Sequence, residues 1–246
     1  MKLEQATAAT IAQLWASLEP RLHQAKSLEE AAQAMATALY MQFTESAVLV
    51  RVYVTLPFDS LPPTNRAFVQ GLAKSAGAAA TLKGATPVLS LVGTHGQEAA
   101  WNDRRNSKGH KGIPLISAAV VDAIPMIARL LRELAVPLDW IDSHDAQRIV
   151  TTIGKEVGLF FIEDAAQATD QKGRKVIPAQ DFVSTYGVKS VFGTGGAYPG
   201  GPMLVLVVFC RDRLPRTTAE LFLPLADLFK AKTASLAAPA KVFAST

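Results

Sequence analysis

Apolar positions along this chain switch repeatedly between a helical and a strand period. Ile11, Leu14, Trp15, Leu18 and Leu22 recur at helical spacing, which predicts an amphipathic helix over about Ala9–Ala25. Ser27 is an N-cap candidate with Glu30 as its capping-box partner, opening a helix from Leu28 to Phe43. Its inward face is Leu28, Ala31, Ala32, Met35, Leu39 and Phe43. The period then changes: Ala47–Thr55 is rich in β-branched residues and reads as a strand.

The middle is less regular. Pro57, Pro62 and Pro63 mark a loop before a helix from about Thr64 to Ala76, followed by a small-residue connector, Ala76–Gly84. Pro87–Gly93 reads as a second strand. A polar stretch, His95–Lys111, leads to a short apolar piece at Ile113–Ile116 and a helix at about Ala118–Leu134. Asp139–Asp145 looks like a helix start capped by Asp142 or Ser143. Val157–Ile162 is a strand, Glu163–Pro178 a charged loop, and Ala179–Tyr186 one or two helical turns. Two strands, Gly187–Gly193 and Met203–Arg211, flank a glycine-rich turn, and a closing helix runs from Thr217 to about Ser235. Pro224 inside that helix predicts a kink or a late start. From Ala237 the tail reads as flexible.

Composition narrows the function classes. Apolar residues make up 49% of the 246, enough for a sizeable core, and the net charge of +4 is spread along the chain. That is no nucleic-acid footprint, and no apolar run is long enough to span a bilayer or resembles a signal peptide. A cytoplasmic location is expected. Cys210, the single cysteine, excludes an internal disulfide or a thiolate metal site, and it sits in an apolar run that predicts a buried thiol. The histidines and aspartates, among them His95, His110, His144 and Asp142, show no metal-ligand spacing, so no metal is expected. No catalytic signature is present, and no cofactor is indicated.

The densest polar segment is Trp101–Lys111. Arg104 and Arg105 could grip a carboxylate or phosphate, with His110 and Lys111 adding charge, Asn102 a polar contact and Trp101 a stacking face. The competing reading is a solvated loop with Trp101 tucked against the body. Thr194–Gly201 lacks the Lys-Ser/Thr pair of a phosphate loop and is followed by a strand, so turn geometry explains its glycines. Phe192 and Tyr198 beside this turn complete the candidate ligand contacts.

The order of elements resembles a GAF domain. Ser27–Ala36 followed by Ala47–Val52 is similar to the opening helix and first strand of that family. Phe161–Ala165 with Tyr186–Val191, and Pro202–Phe209 with Thr217–Ala226, are similar to its later strands and closing helix. The resemblance implies an α+β, profilin-like fold with a central antiparallel sheet and helices packed on it. It divides the chain into an N-terminal helix (1–26), a single GAF-like domain (27–236) enlarged by an insertion at about 57–153, and a tail (237–246). It further implies a small-molecule-binding sensory or regulatory module like the N-terminal domains of bacterial signalling proteins. Such a module would act through a signalling partner protein or as a homodimer through its terminal helices. Cys210 is misplaced for a bilin attachment site, a single cysteine is too few for methionine-sulfoxide reduction, and the cyclic-nucleotide residue set is missing. The alternative function is an enzyme acting on a small anionic substrate through the Trp101–Lys111 segment.

Overall fold

The computed structural model describes residues 1–143, 158–199 and 201–244. A sheet of six antiparallel strands forms its centre, in the order β3-β2-β1-β6-β5-β4. The strands are β1 (Ala47–Pro57), β2 (Pro87–Gly96), β3 (Gly112–Pro114), β4 (Gly158–Ile162), β5 (Ser190–Ala197) and β6 (Met203–Cys210). This is the α+β architecture expected from the sequence. The short apolar piece after the polar segment proves to be an edge strand, β3, paired to β2 from Val88↔Pro114 to Ser90↔Gly112.

Alternation along each strand divides the interior into two layers. Val50, Val52 and Val54 of β1, with Leu204, Leu206 and Val208 of β6, face one core. Leu49 and Tyr53, with Val205, Val207 and Phe209, face the other. The first core is closed by α1 (Ala8–Gln24), α2 (Leu28–Gln42) and the terminal helices α8 (Arg216–Glu220) and α9 (Leu223–Thr233). Leu14, Leu18 and Leu22 of α1 are buried there against α2 and α9. The caps follow the expected chemistry: Ser27 Oγ accepts from Glu30 N at 3.1 Å, though the Glu30 carboxylate accepts from Lys26 N at 2.8 Å. The closing helix breaks at Phe222 and restarts with Pro224 in its first turn, where a missing N–H costs nothing.

Two glycines mark close approaches. A Cβ on Gly93 would stand 2.4 Å from the Ala32 carbonyl group, so glycine lets α2 lie directly on β2. A Cβ on Gly195 would stand 2.2 Å from Leu204 O, which explains a glycine inside β5. β5 therefore continues to Ala197, and the expected glycine turn shortens to the residues after it.

The second core is covered by α4 (Ala118–Asp122), α5 (Pro125–Glu133), α6 (Leu138–Ser143) and α7 (Gln180–Thr185). The single helix expected over 118–134 is two, because Pro125 starts a new one. α6 already contains Asp142, which instead accepts from Ala118 N at 2.9 Å beside the α4 N-cap Ser117; His144 and Asp145 lie outside the described residues. α5 is fastened to the open edge of β4. Arg129 donates to Phe161 O at 2.7 Å and Glu133 accepts from Phe161 N at 2.8 Å, while the two side chains pair at 2.8 Å. Together they supply the partners a further strand would have given.

α3 (Pro63–Ser75) packs beside β3 through Val69. The tail, expected to be flexible, turns back onto α2: Val242 is fully buried and its carbonyl accepts from Glu29 N at 2.8 Å.

Candidate functional site

Fixing α5 to β4 leaves a gap between that helix and the β1–β2 side of the sheet. The gap is a cavity of about 340 Å³. Leu49 and Tyr53 of β1, Leu89 of β2 and Val207 and Phe209 of β6 form its floor. Ile124, Met126, Ile127 and Leu130 form the opposing wall, and Ile177–Ala179 with Phe182 close one end. This size and apolar lining fall within the range of small-molecule sites.

The polar end is built around Arg51, which stands on β1 between Leu49 and Tyr53 and shares their face. Its Nη1 donates to the Tyr53 hydroxyl at 3.2 Å and its Nη2 to Ser107 Oγ at 3.3 Å. Its Nε is buried without a hydrogen-bond partner. Among the described residues, no carboxylate lines the cavity and none forms an ion pair with Arg51. Ser107 in turn donates to Gly109 O at 2.8 Å, which bends the loop over the arginine. His110 follows at the rim with φ of 55°, a left-handed conformation that histidine adopts more readily than most residues. Burial and then the nearby Arg51 charge hold its imidazole below the usual histidine pKa, favouring the neutral form. His110 as a whole residue is nevertheless exposed, which places it at the mouth of the cavity rather than on its floor.

An aromatic row extends one wall. Phe182 meets Phe209 edge-on at 5.4 Å, Tyr186 lies 5.4 Å from Phe182, and Trp101 lies 4.7 Å from Tyr186 and 5.8 Å from Phe182. Trp101 thus joins the cavity wall from outside without lining the cavity itself.

The structure disperses the other residues singled out in the sequence. Arg104 is buried and paired with Glu29, Nη2 to Oε2 at 2.7 Å and Nε to Oε1 at 2.7 Å, the latter without hydrogen-bond alignment. Arg105 is exposed and paired to its neighbour Asp103 at 3.0 Å. Asn102 accepts from Gly96 N at 2.9 Å, tying its loop to β2. Lys111 donates to Arg105 O at 2.8 Å. Phe192 and Tyr198 lie in the opposite core: Phe192 packs on Phe222 at 4.9 Å, and the Tyr198 hydroxyl meets Thr233 Oγ1 at 2.8 Å. Only His110 of that set lines the cavity. Cys210 is fully buried in the same opposite core.

Sequence reasoning passed over Arg51 and Tyr53 because they lie inside a strand assigned on its apolar character. The available signal was a charge within the run Ala47–Thr55, in phase with Leu49 and Tyr53 and out of phase with Val50, Val52 and Val54. Among the described residues, no group of three histidine, cysteine or acidic side chains is placed to hold a metal ion. No described helix is long and apolar enough to cross a membrane.

Fold and site together define an α+β domain with a ligand-sized cavity on one face of its antiparallel sheet. No protein-family model matches the chain, and no curated protein matches it. Among solved structures, it is similar to the phycoerythrobilin-bound GAF domain from a cyanobacterial phytochrome. The two are 13% identical, with 92% of this chain and 95% of that one covered and a TM-score of 0.47. It is likewise similar to the phycocyanobilin-bound GAF domain from a cyanobacterial phytochrome, at 12% identity, 92% and 94% coverage and a TM-score of 0.48. A likeness of this degree is no guide to ligand or activity.

Proposed function

We propose that the chain is a small-molecule-binding sensory or regulatory module whose ligand occupies the cavity between β1 and α5. One observation carries the reading: a cavity of about 340 Å³ with apolar walls converges on a single arginine. Apolar walls supply affinity through burial, and a few placed polar groups orient the ligand. Covalent bilin attachment forms no part of the proposal, because Cys210 is buried on the other side of the sheet.

The bound state would pass to a partner protein or a second copy. Met41 on α2 and Leu228 on α9 are, among the described residues, the exposed large apolar side chains and the first candidates for that contact.

Thermal unfolding of the full chain against a library of small apolar and amphiphilic molecules tests the cavity reading. A ligand binding only the folded state stabilises it by RT ln(1 + [L]/Kd), so saturable stabilisation is expected. Leu130→Trp, which fills the cavity from α5, should remove the effect while the protein stays folded. Absence of stabilisation by every compound, or stabilisation that survives Leu130→Trp, would overturn the assignment.

A further inference from the structure

Arg51 is a permanent charge whose neighbours do not neutralise it. Its two hydrogen bonds go to neutral hydroxyls at 3.2 and 3.3 Å, long for contacts of a guanidinium, and its Nε has none. Arg51 is half-buried with its Nε fully covered, and a guanidinium partly withdrawn from water is normally paired, because desolvation without a partner is unfavourable. Buried Arg104 pairs with Glu29, and Arg129, half-buried like Arg51, pairs with Glu133. Arg51 departs from that pattern, and it does so where it lines a cavity.

Resting on the reading of that cavity as a ligand site, we infer that its ligand is a small molecule with an apolar body and one carboxylate, which pairs with the Arg51 guanidinium. The surrounding groups are set for that anion. Because the Tyr53 hydroxyl accepts from Arg51, its own proton is free to donate. His110 at the rim adds a neutral ring with an N–H donor or, on protonation, a second cation.

A planar fork of N–H donors matches the two oxygens of a carboxylate. A single fixed cation balances a monoanion, whereas a phosphate dianion would be left half-compensated inside apolar walls. The body must be short. A volume of about 340 Å³ equals roughly eleven waters at about 30 Å³ each. That admits a ligand on the order of ten to fifteen non-hydrogen atoms. Isoleucine, leucine and methionine from α5 and its approach, facing Phe182 and Phe209, suit an unbranched alkyl or a phenylalkyl group.

The experiment is calorimetric titration of the full chain with matched acids and alcohols: hexanoate, octanoate, decanoate and 3-phenylpropanoate against 1-hexanol, 1-octanol, 1-decanol and 3-phenylpropan-1-ol. At least one acid should bind about ten- to a hundredfold tighter than its alcohol, the range expected for a hydrogen-bonded charge pair. Arg51→Gln should erase that preference, so that each acid binds no tighter than its matched alcohol on the same variant, and Arg51→Lys should restore part of it. Equal binding of acid and alcohol by the unmodified chain would overturn the inference but leave the cavity reading standing, and that comparison needs no variant to fold. An acid preference that survives Arg51→Gln would also overturn it. If no compound of either series binds, the cavity reading falls and the inference with it.

Discussion

Separating Glu29 from Arg104 should damage this fold more than any surface change of similar chemistry. Glu29 opens α2 and Arg104 lies in the polar segment, and each keeps 9% of its surface exposed. The carboxylate meets the guanidinium at 2.7 Å through both oxygens, and Oε2 also accepts from Ala244 N at 3.0 Å. Phe243 lies over the guanidinium at 4.7 Å. The pair thus joins the first turn of α2, the segment after β2 and the C-terminal tail. Glu29→Ala leaves a buried cation with only Asn65 Oδ1, at 3.5 Å, and the Phe243 ring. Breaking one side of a buried pair costs about 3–5 kcal/mol. For a domain of this size that lowers Tm by about 6–20 °C. Arg104→Met should cost a similar amount through the stranded carboxylate. The double variant Glu29→Ala/Arg104→Met should cost less than the sum of the two single changes, because both charges leave together. Urea unfolding with unchanged m-values measures all three. Single costs below about 1 kcal/mol, or a double cost equal to their sum, would refute the argument.

The remaining predictions probe other parts of the molecule. Gly93→Ala places a methyl group against the Ala32 backbone at 2.4 Å and should destabilise by about 1–3 kcal/mol in denaturant titration. Tyr198→Phe removes the hydrogen bond to Thr233 in the opposite core and should cost about 1 kcal/mol, while the titrations with acids and alcohols stay unchanged. Burial pushes the Cys210 thiol far up, so Ellman's reagent at pH 8 should modify the chain only on unfolding; fast labelling of the native protein would contradict its place in the core. His110 has a folded pKa below its ordinary value of 6.5, so the unfolded chain takes up that proton first. Stability should therefore fall as pH drops through about 6.5 towards the lower folded value. His110→Asn, which tolerates the positive φ, should reduce that slope in thermal unfolding from pH 7.5 to 5.

Much of the fold was legible because it is local. Helical spacing from Ile11 to Leu22, the Ser27 cap, the β-branched run after Ala47 and the paired strands before the closing helix all act over a few residues. The elements they predict are present. Boundaries shifted where tertiary contact decides: β5 runs to Ala197 because its glycines allow β6 close by, and the tail is held by Glu29 across most of the chain length.

The candidate site was less legible, and the reason is directional. A dense polar segment signals chemistry in a linear reading, but Arg104 pairs with Glu29, Arg105 pairs with Asp103, and Asn102 and Lys111 hydrogen-bond to backbone. Pairing depends on residues up to 75 positions away, which spacing cannot reveal. By itself the sequence determined the α+β element order, the buried thiol and the apolar faces, since these follow from periodicity and residue type. Only the tertiary structure decided which face of the sheet opens into a cavity, because that depends on how Arg129 and Glu133 hold α5 to the edge of β4. It also decided that Arg51, a single charge in a strand, faces that cavity with no carboxylate beside it among the described residues.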